Sequence, residues 1–316
     1  MNGRAARLQA AGGAIVSARP AALWRFSRPH TVIGTAASVV GLYVIAVQAI
    51  PGAGLASGIG DLACTLLAGL CVNVYIVGIN QLEDIEIDRV NKPFLPLAAG
   101  DMTVATARRV VAICGIVPIL LALTQGAVET VAVLAGLAVG TAYSVPPLRF
   151  KRYPALASLS ITAVRSLVVN LGVALHFSQS LGGGWTVPES VWALTLFVLP
   201  FSFAIAILKD VPDAEGDRRF RIATFTLRVG PGRVLAIGVA ALSVAYLGMA
   251  LAGPFALESC QPLVLATTHI AALAVLWRFG ATADPCDRAS FTRFYMRVWK
   301  LFFLEYALVP LAVVLG

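Results

Sequence analysis

Residues 78–93 read GINQLEDIEIDRVNKP. This stretch sets Glu83, Asp84, Glu86 and Asp88 beside Arg89 and Lys92, in a chain of 316 residues that is 59% apolar and only 13% charged. An ordinary soluble domain carries roughly 25% charged residues. Together with a mean hydropathy of +0.84, the composition excludes such a domain and describes a polytopic membrane protein. Working outward from the acidic stretch, apolar runs recur at 31–50, 60–80, 104–123, 127–145, 156–177, 190–208, 233–252, 262–279 and 299–315. Each approaches the roughly 20 residues that a helix needs to cross the hydrocarbon core. The expected fold is therefore all-α, a membrane helical bundle of about nine transmembrane helices. Residues 1–26 would form an N-terminal cytoplasmic tail and residues 27–316 a single transmembrane domain.

In a soluble protein the net charge of +8 would suggest nucleic acid, but the positions of the bases argue otherwise. They fall in the N-terminal segment (Arg4, Arg7, Arg19, Arg25, Arg28) and in the second, fourth, sixth and eighth connections. Those connections carry Arg89, Lys92, Lys151, Arg152, Lys209, Arg218, Arg219, Arg288 and Arg293, and the other four contain none. This is the positive-inside pattern. It predicts a cytoplasmic N-terminus and a C-terminus outside, in a bacterial inner membrane or a plastid membrane. The first 26 residues lack the apolar core of a secretory signal and are compatible with a short organellar presequence. The five cysteines show no C-x-x-C spacing and read as small hydrophobes.

A second acidic cluster, KDVPDAEGDRRF at 209–220, follows the sixth span as the first follows the second, so both lie on one face. Asp84-Ile-Glu86-Ile-Asp88 and Asp213-Ala-Glu215-Gly-Asp217 share the pattern D-x-E-x-D. Residues four apart project from one helix face, which predicts one ladder of Asn80, Asp84 and Asp88, another of Asp213 and Asp217, and Glu86 and Glu215 directed elsewhere. Two readings fit. Solvated loops would pair these acids with Arg89, Lys92, Arg218 and Arg219. Alternatively, carboxylates gathered at a membrane cavity call for cations, and such oxygen ligands suit Mg²⁺ held jointly with a diphosphate.

These residues resemble the UbiA superfamily of intramembrane prenyltransferases, whose two Asp-rich motifs bind a prenyl diphosphate through Mg²⁺. The stretches NQLEDIEIDRVNKPFLPLAAGDMT (80–103), KDVPDAEGD (209–217) and RFSRPHTVIGT (25–35) resemble the homogentisate prenyltransferases of tocopherol and plastoquinone synthesis. The resemblance implies that Asn80, Asp84 and Asp88 hold one Mg²⁺ and Asp213 and Asp217 the other, with Asp210 a further candidate and Lys209 on the diphosphate. YSVPPLRFKR (143–152) resembles the family's Tyr/Lys segment and carries over Tyr143 and Lys151, at a longer spacing than the family's YxxxK form. The implied donor is phytyl or geranylgeranyl diphosphate, and the implied acceptor is homogentisate, with loss of its carboxylate. 4-Hydroxybenzoate, dihydroxynaphthoate and a chlorin are the competing acceptors.

Three further features bear on function. Arg165 lies mid-span in ITAVRSLVVNLG and must face the bundle interior, either in a salt bridge or carbonyl contact or on a substrate's diphosphate or carboxylate. Arg28, beside Pro29 at the start of the first span, is either a headgroup anchor or a substrate contact. Asn73 and Asn170 read as helix–helix hydrogen-bonding residues, and Trp24, Trp185, Trp192 and Trp299 as an interfacial belt. A transporter, the alternative from another class, would carry its acids near the bilayer midplane on broken helices, whereas these lie at span ends.

Overall fold

The computed structural model describes residues 19–316. The expected presequence character and the tail residues Arg4 and Arg7 lie outside the described residues. Among the described residues, nine helices long and apolar enough to cross a membrane follow one another: α1 Pro29–Ala49, α2 Ile59–Glu83, α3 Val104–Gln125, α4 Ala127–Ser144, α5 Pro154–Ser180, α6 Glu189–Leu208, α7 Pro231–Leu251, α8 Pro262–Ala281 and α9 Arg288–Leu315. There is no strand among the described residues. The chain is a multi-pass all-α membrane bundle, as its composition demands.

Local chemistry explains the helix starts. Proline opens α1, α5, α7 and α8, where its missing N–H would have had no partner in any case. Thr103 caps α3 by accepting from the Thr106 N–H at 3.1 Å. Asp287 caps α9 by accepting from the N–H groups of Ala289 and Ser290. That cap starts the ninth helix at Arg288 rather than near 299, which corrects the sequence reading. Arg293 is therefore a helix residue and not part of a connection, and the first turns of α9 extend the span beyond its apolar stretch. For the same reason Trp299 is not interfacial. It lies well inside α9 and is only 2% exposed, whereas Trp24, Trp185 and Trp192 are exposed.

The principal core joins α1 and α5 through α9, and smaller apolar clusters join α2, α3 and α4. Helices α1 and α9 approach closely at Gly41, where a Cβ would stand 2.6 Å from the Tyr306 carbonyl oxygen. A small residue is what such a backbone approach requires. On α3, Ile113, Ile116, Leu120 and Leu123 are exposed together, an apolar stripe that fits lipid rather than water. Between the spans, short helices Pro20–Phe26, Ile85–Asn91 and Ala214–Arg219 cluster at the end of the bundle that carries the acids.

Candidate functional site

The first acidic cluster nearly continues α2. The backbone pauses at Asp84 (φ −116°, ψ 20°), then resumes as the short helix Ile85–Asn91, and the Asp88 N–H still reaches the Asp84 carbonyl at 2.7 Å. Asn80, Asp84 and Asp88 thus keep their four-residue spacing across the break. The second cluster does not simply prolong α6. The helix stops at Leu208, residues 209–213 form turns, and Ala214–Arg219 begins a new short helix with Asp213 at its N-cap. Lys209 and Asp210 therefore lie on the turn and not on a ladder with Asp213. The two glutamates, Glu86 and Glu215, are exposed, and Glu86 pairs with Arg89 at 2.6 Å.

Asn91 joins the two clusters, and nothing in the sequence analysis singled it out. Its Oδ1 accepts from the Gly216 N–H at 2.9 Å, its Nδ2 donates to Asp217 at 3.4 Å, and its carbonyl accepts from Arg288. The contact is close enough to exclude any side chain at position 216, since a Cβ there would stand 2.4 Å from Asn91 Oδ1. The only available signal was a buried-type polar residue one turn beyond Asp88, in a segment already crowded with charge.

A cavity of about 580 Å³ opens beneath these clusters and runs between the helices. All eleven residues named from the sequence line it: Arg28, Asn80, Asp84, Asp88, Tyr143, Lys151, Arg165, Lys209, Asp210, Asp213 and Asp217. At its charged mouth acids and bases interleave. Asp84 receives Lys151 Nζ at 2.6 Å, Asn80 Nδ2 at 3.0 Å and Arg149 Nη2 at 3.2 Å. Lys92 pairs with Asp213, and Lys209 reaches Asp210 at 2.6 Å. Arg28 Nη2 approaches Asn80 Oδ1 at 3.4 Å. The expected pairing of acids with neighbouring bases therefore occurs for Arg89 and Lys92, whereas Arg218 and Arg219 form no ion pair among the described residues. Arg28 and Arg149 both hold positive φ, at 53° and 39°. Non-glycine residues in this region carry strain of about 1–3 kcal/mol and cluster at functional sites.

Two carboxyls are uncompensated. Burial, reinforced by Asp84 and Asp213 against the pull of Lys92 and Arg28, raises the Asp88 pKa to about 6. Burial with Asp213 and Asp210 raises that of Asp217 to about 7. Asp88 Oδ2 is buried without a hydrogen-bond partner. Burial lowers the Lys151 pKa against the opposing charge of Asp84, whereas Lys209 stays protonated because Asp210, Tyr143 and Asp213 outweigh its burial. The donors facing the mouth are all oxygens, the set that suits a hard divalent cation, and the orphaned Asp88 oxygen is an open position for one. Among the described residues no three His, Cys, Asp or Glu side chains close around a metal-sized point. Mg²⁺ is commonly held by one or two carboxylates and completed by substrate phosphates and water, and carboxylates face this mouth.

The cavity is apolar below the mouth. On α2 its lining runs from Asn80 to Thr65, a depth of about 22 Å at 1.5 Å per residue. Midway down α5, Arg165 stacks over Trp299 at 4.7 Å and Phe302 at 5.3 Å. Among the described residues Arg165 makes neither the salt bridge nor the carbonyl contact that the sequence allowed. Two aromatic faces brought in by α9 take their place. Asn170 accepts from the Tyr306 hydroxyl at 2.6 Å, a helix–helix hydrogen bond, and Asn73 Nδ2 donates to the Ser27 carbonyl at 3.4 Å.

Comparison with known proteins matches residues 35–301 to the UbiA prenyltransferase family. The chain is 45% identical over 292 residues to homogentisate phytyltransferase of Synechocystis sp., covering 92% of this chain and 95% of that protein. It is 36% identical over 307 residues to homogentisate geranylgeranyltransferase of Triticum aestivum, covering 93% of this chain and 73% of that protein. The fold is similar to a UbiA homolog from Archaeoglobus fulgidus solved with GPP and Mg²⁺, at a TM-score of 0.63 and 19% identity, over 92% of this chain and 99% of that one.

The Asn91 contacts generate a test. Asn91→Ala removes the bridge between the clusters and leaves the Gly216 N–H and the Asp217 carboxyl without that partner, at a cost of about 1–3 kcal/mol. The expected outcome is a purified protein with a lower melting temperature and at least about tenfold lower kcat/KM, because both clusters must be in register. Turnover equal to wild type would show that the bridge does not position the site.

Proposed function

We infer, from a chain that belongs to the UbiA prenyltransferase family, that its reaction is the Mg²⁺-dependent transfer of a phytyl or geranylgeranyl group from the diphosphate to homogentisate. The prenylated product loses the acceptor's carboxylate. The observation that carries the reading is a cavity in which a mouth of interleaved acids and bases gives way to an apolar channel. A charged diphosphate and a long hydrocarbon tail on one molecule match those two environments. The acceptor follows from the names of the relatives that are 45% and 36% identical over most of the chain. The catalytic unit is taken to be residues 27–316.

In this reading Asn80, Asp84 and Asp88 hold one cation and Asp213 and Asp217 the other, with Asp210 nearby. When bound, Mg²⁺ supplies positive charge to the diphosphate as the allylic C–O bond ionises. Lys209, Lys151 and Arg28 line the cavity where they can donate to the departing oxygens, Arg149 reaches the mouth through Asp84, and Tyr143 lies within Coulombic range of Lys209. The apolar walls keep water from the allylic cation until the ring carbon of the acceptor attacks it. The new C–C bond releases a ring proton, and carboxylate loss leaves CO₂ with a proton taken up at the benzylic carbon, so the exchange balances.

The product decides the reaction. Purified protein supplied with phytyl or geranylgeranyl diphosphate, Mg²⁺ and homogentisate should give a decarboxylated prenyl-hydroquinone by mass spectrometry. A prenylated product that keeps its carboxylate, or turnover only with a chlorin, would overturn the acceptor.

The carboxyls give a pH-dependent test of the cation site. Unfolded aspartates lose their protons near pH 4, whereas folded Asp88 and Asp217 keep theirs to about 6 and about 7. Between those limits the folded state holds more protons, so rising pH takes stability from the cation-free protein, and a bound cation restores it. Mg²⁺ with a non-hydrolysable prenyl diphosphate should therefore raise the melting temperature more at pH 8 than at pH 6. Asp84→Asn and Asp213→Asn should each lose most of that shift and most turnover. An equal shift at both pH values would count against these carboxylates as ligands.

The orientation proposed is the one the bases predict, with the charged mouth cytoplasmic. Cys286, exposed in the eighth connection, should then label with an impermeant reagent only after cells are opened. Leu55→Cys and Trp185→Cys, in a Cys286→Ser background, should label in intact cells. The reverse pattern would invert the topology.

A further inference from the structure

We propose that Arg165 is the seat of the acceptor's carboxylate, holding it through the N–H donors of a guanidinium whose carbon lies over the Trp299 and Phe302 rings. The proposal deepens the aromatic-acid reading above and rests on it. Arg165 lies eleven residues into the 27-residue α5, about 16 Å below the start of that helix. A cation at such depth is costly unless something compensates it. The rings supply part of that compensation, through faces 4.7 and 5.3 Å from Cζ. They leave the planar N–H donors unsatisfied. Nη1 is buried without a hydrogen-bond partner, and Arg165 forms no ion pair among the described residues.

The other cations at the mouth are differently placed. Lys151 and Arg149 are on Asp84, Lys92 is on Asp213 and Lys209 is on Asp210. Arg28 touches the Asn80 amide at the mouth, where the diphosphate belongs. Arg28 also keeps a buried Nε without a partner, but at the mouth; among the described residues Arg165 is the cavity-lining cation whose open donor lies deep between the helices. A guanidinium carries its N–H donors in a planar fork, the geometry that matches a carboxylate in two parallel hydrogen bonds. The backbone supports the same reading. Arg165 lies in a π-helical stretch, Ala163–Gly172, of a kind that is rare and frequent at functional sites. The Trp299 ring against the guanidinium also provides an apolar wall for a small aromatic acid, and His30 packs edge-on against it at 5.0 Å.

The experiment compares inhibition of prenyl transfer by 2-hydroxyphenylacetate and by its amide, which differ in the charge of one group. Wild type should favour the acid by about tenfold or more, the scale of a charged hydrogen-bonded contact. Arg165→Gln should raise the homogentisate KM by a similar factor and erase the acid's advantage, with the KM for the prenyl diphosphate unchanged. Arg165→Lys should restore part of the preference. If Arg165→Gln fails to fold, the wild-type ratio and the lysine variant still decide. Equal inhibition by acid and amide, preference retained in Arg165→Gln, or an equal rise in the donor KM would overturn the proposal. Should wild type ignore homogentisate but prenylate another aromatic acid, the same comparison with that acid and its amide tests Arg165 separately, and only the acceptor is lost. Turnover with no aromatic acid would overturn both.

Discussion

Charge inside an apolar bundle must be compensated, and the structure follows from how that compensation is arranged. Asp84, Asp88, Asp210, Asp213 and Asp217 gather at one end of the helices with Arg28, Lys92, Arg149, Lys151 and Lys209 interleaved among them. Each group alone would face a desolvation cost of several kcal/mol. Together they form a layer, five acids among five bases, in which Asp88 and Asp217 alone among the acids lack an ion-pair partner within the described residues. Such a layer is not inert. A diphosphate can draw the lysines and arginines toward itself only if the carboxylates they leave find other cations, which makes a divalent ion the natural companion of the substrate.

The arrangement also depends on holding two separate chain segments together. The first acidic segment is tied to α2 almost without interruption, whereas the second hangs from α6 by a turn. Asn91 supplies the missing constraint by meeting the backbone of Gly216, a contact that no larger residue at 216 would permit. The strained backbones of Arg28 and Arg149 lie at the ends of other segments that reach the same mouth. Order in the site therefore comes from where the segments are tied down and not from the rigidity of any one helix.

The nine spans and the two acidic clusters are legible in the sequence because hydropathy and local charge are properties of contiguous residues. So is the facing of Asn80, Asp84 and Asp88, which needs only the four-residue repeat. The rest depends on contacts between distant segments. Asn91 looks like any loop asparagine until Gly216 is set against it, 125 residues away. The partner of Arg165 cannot be read from ITAVRSLVVNLG, because it is a pair of rings on α9. Trp299 looks interfacial only while α9 is thought to start near it, and the Asp287 cap that moves the start to Arg288 carries no hydropathy signal.

The depth of the cavity bears on the donor as the mouth bears on the reaction. The lining ends on α2 at Thr65 and on α4 at Glu129, a buried carboxyl fourteen residues before Tyr143, or about 21 Å along that helix. A phytyl or geranylgeranyl chain is about as long as a membrane acyl chain, roughly half of the ~30 Å hydrocarbon core. That length is comparable to the path between the charged mouth and this polar floor. The charged mouth and the Thr65–Glu129 end thus set polar groups at both ends of the cavity, with its apolar walls between them.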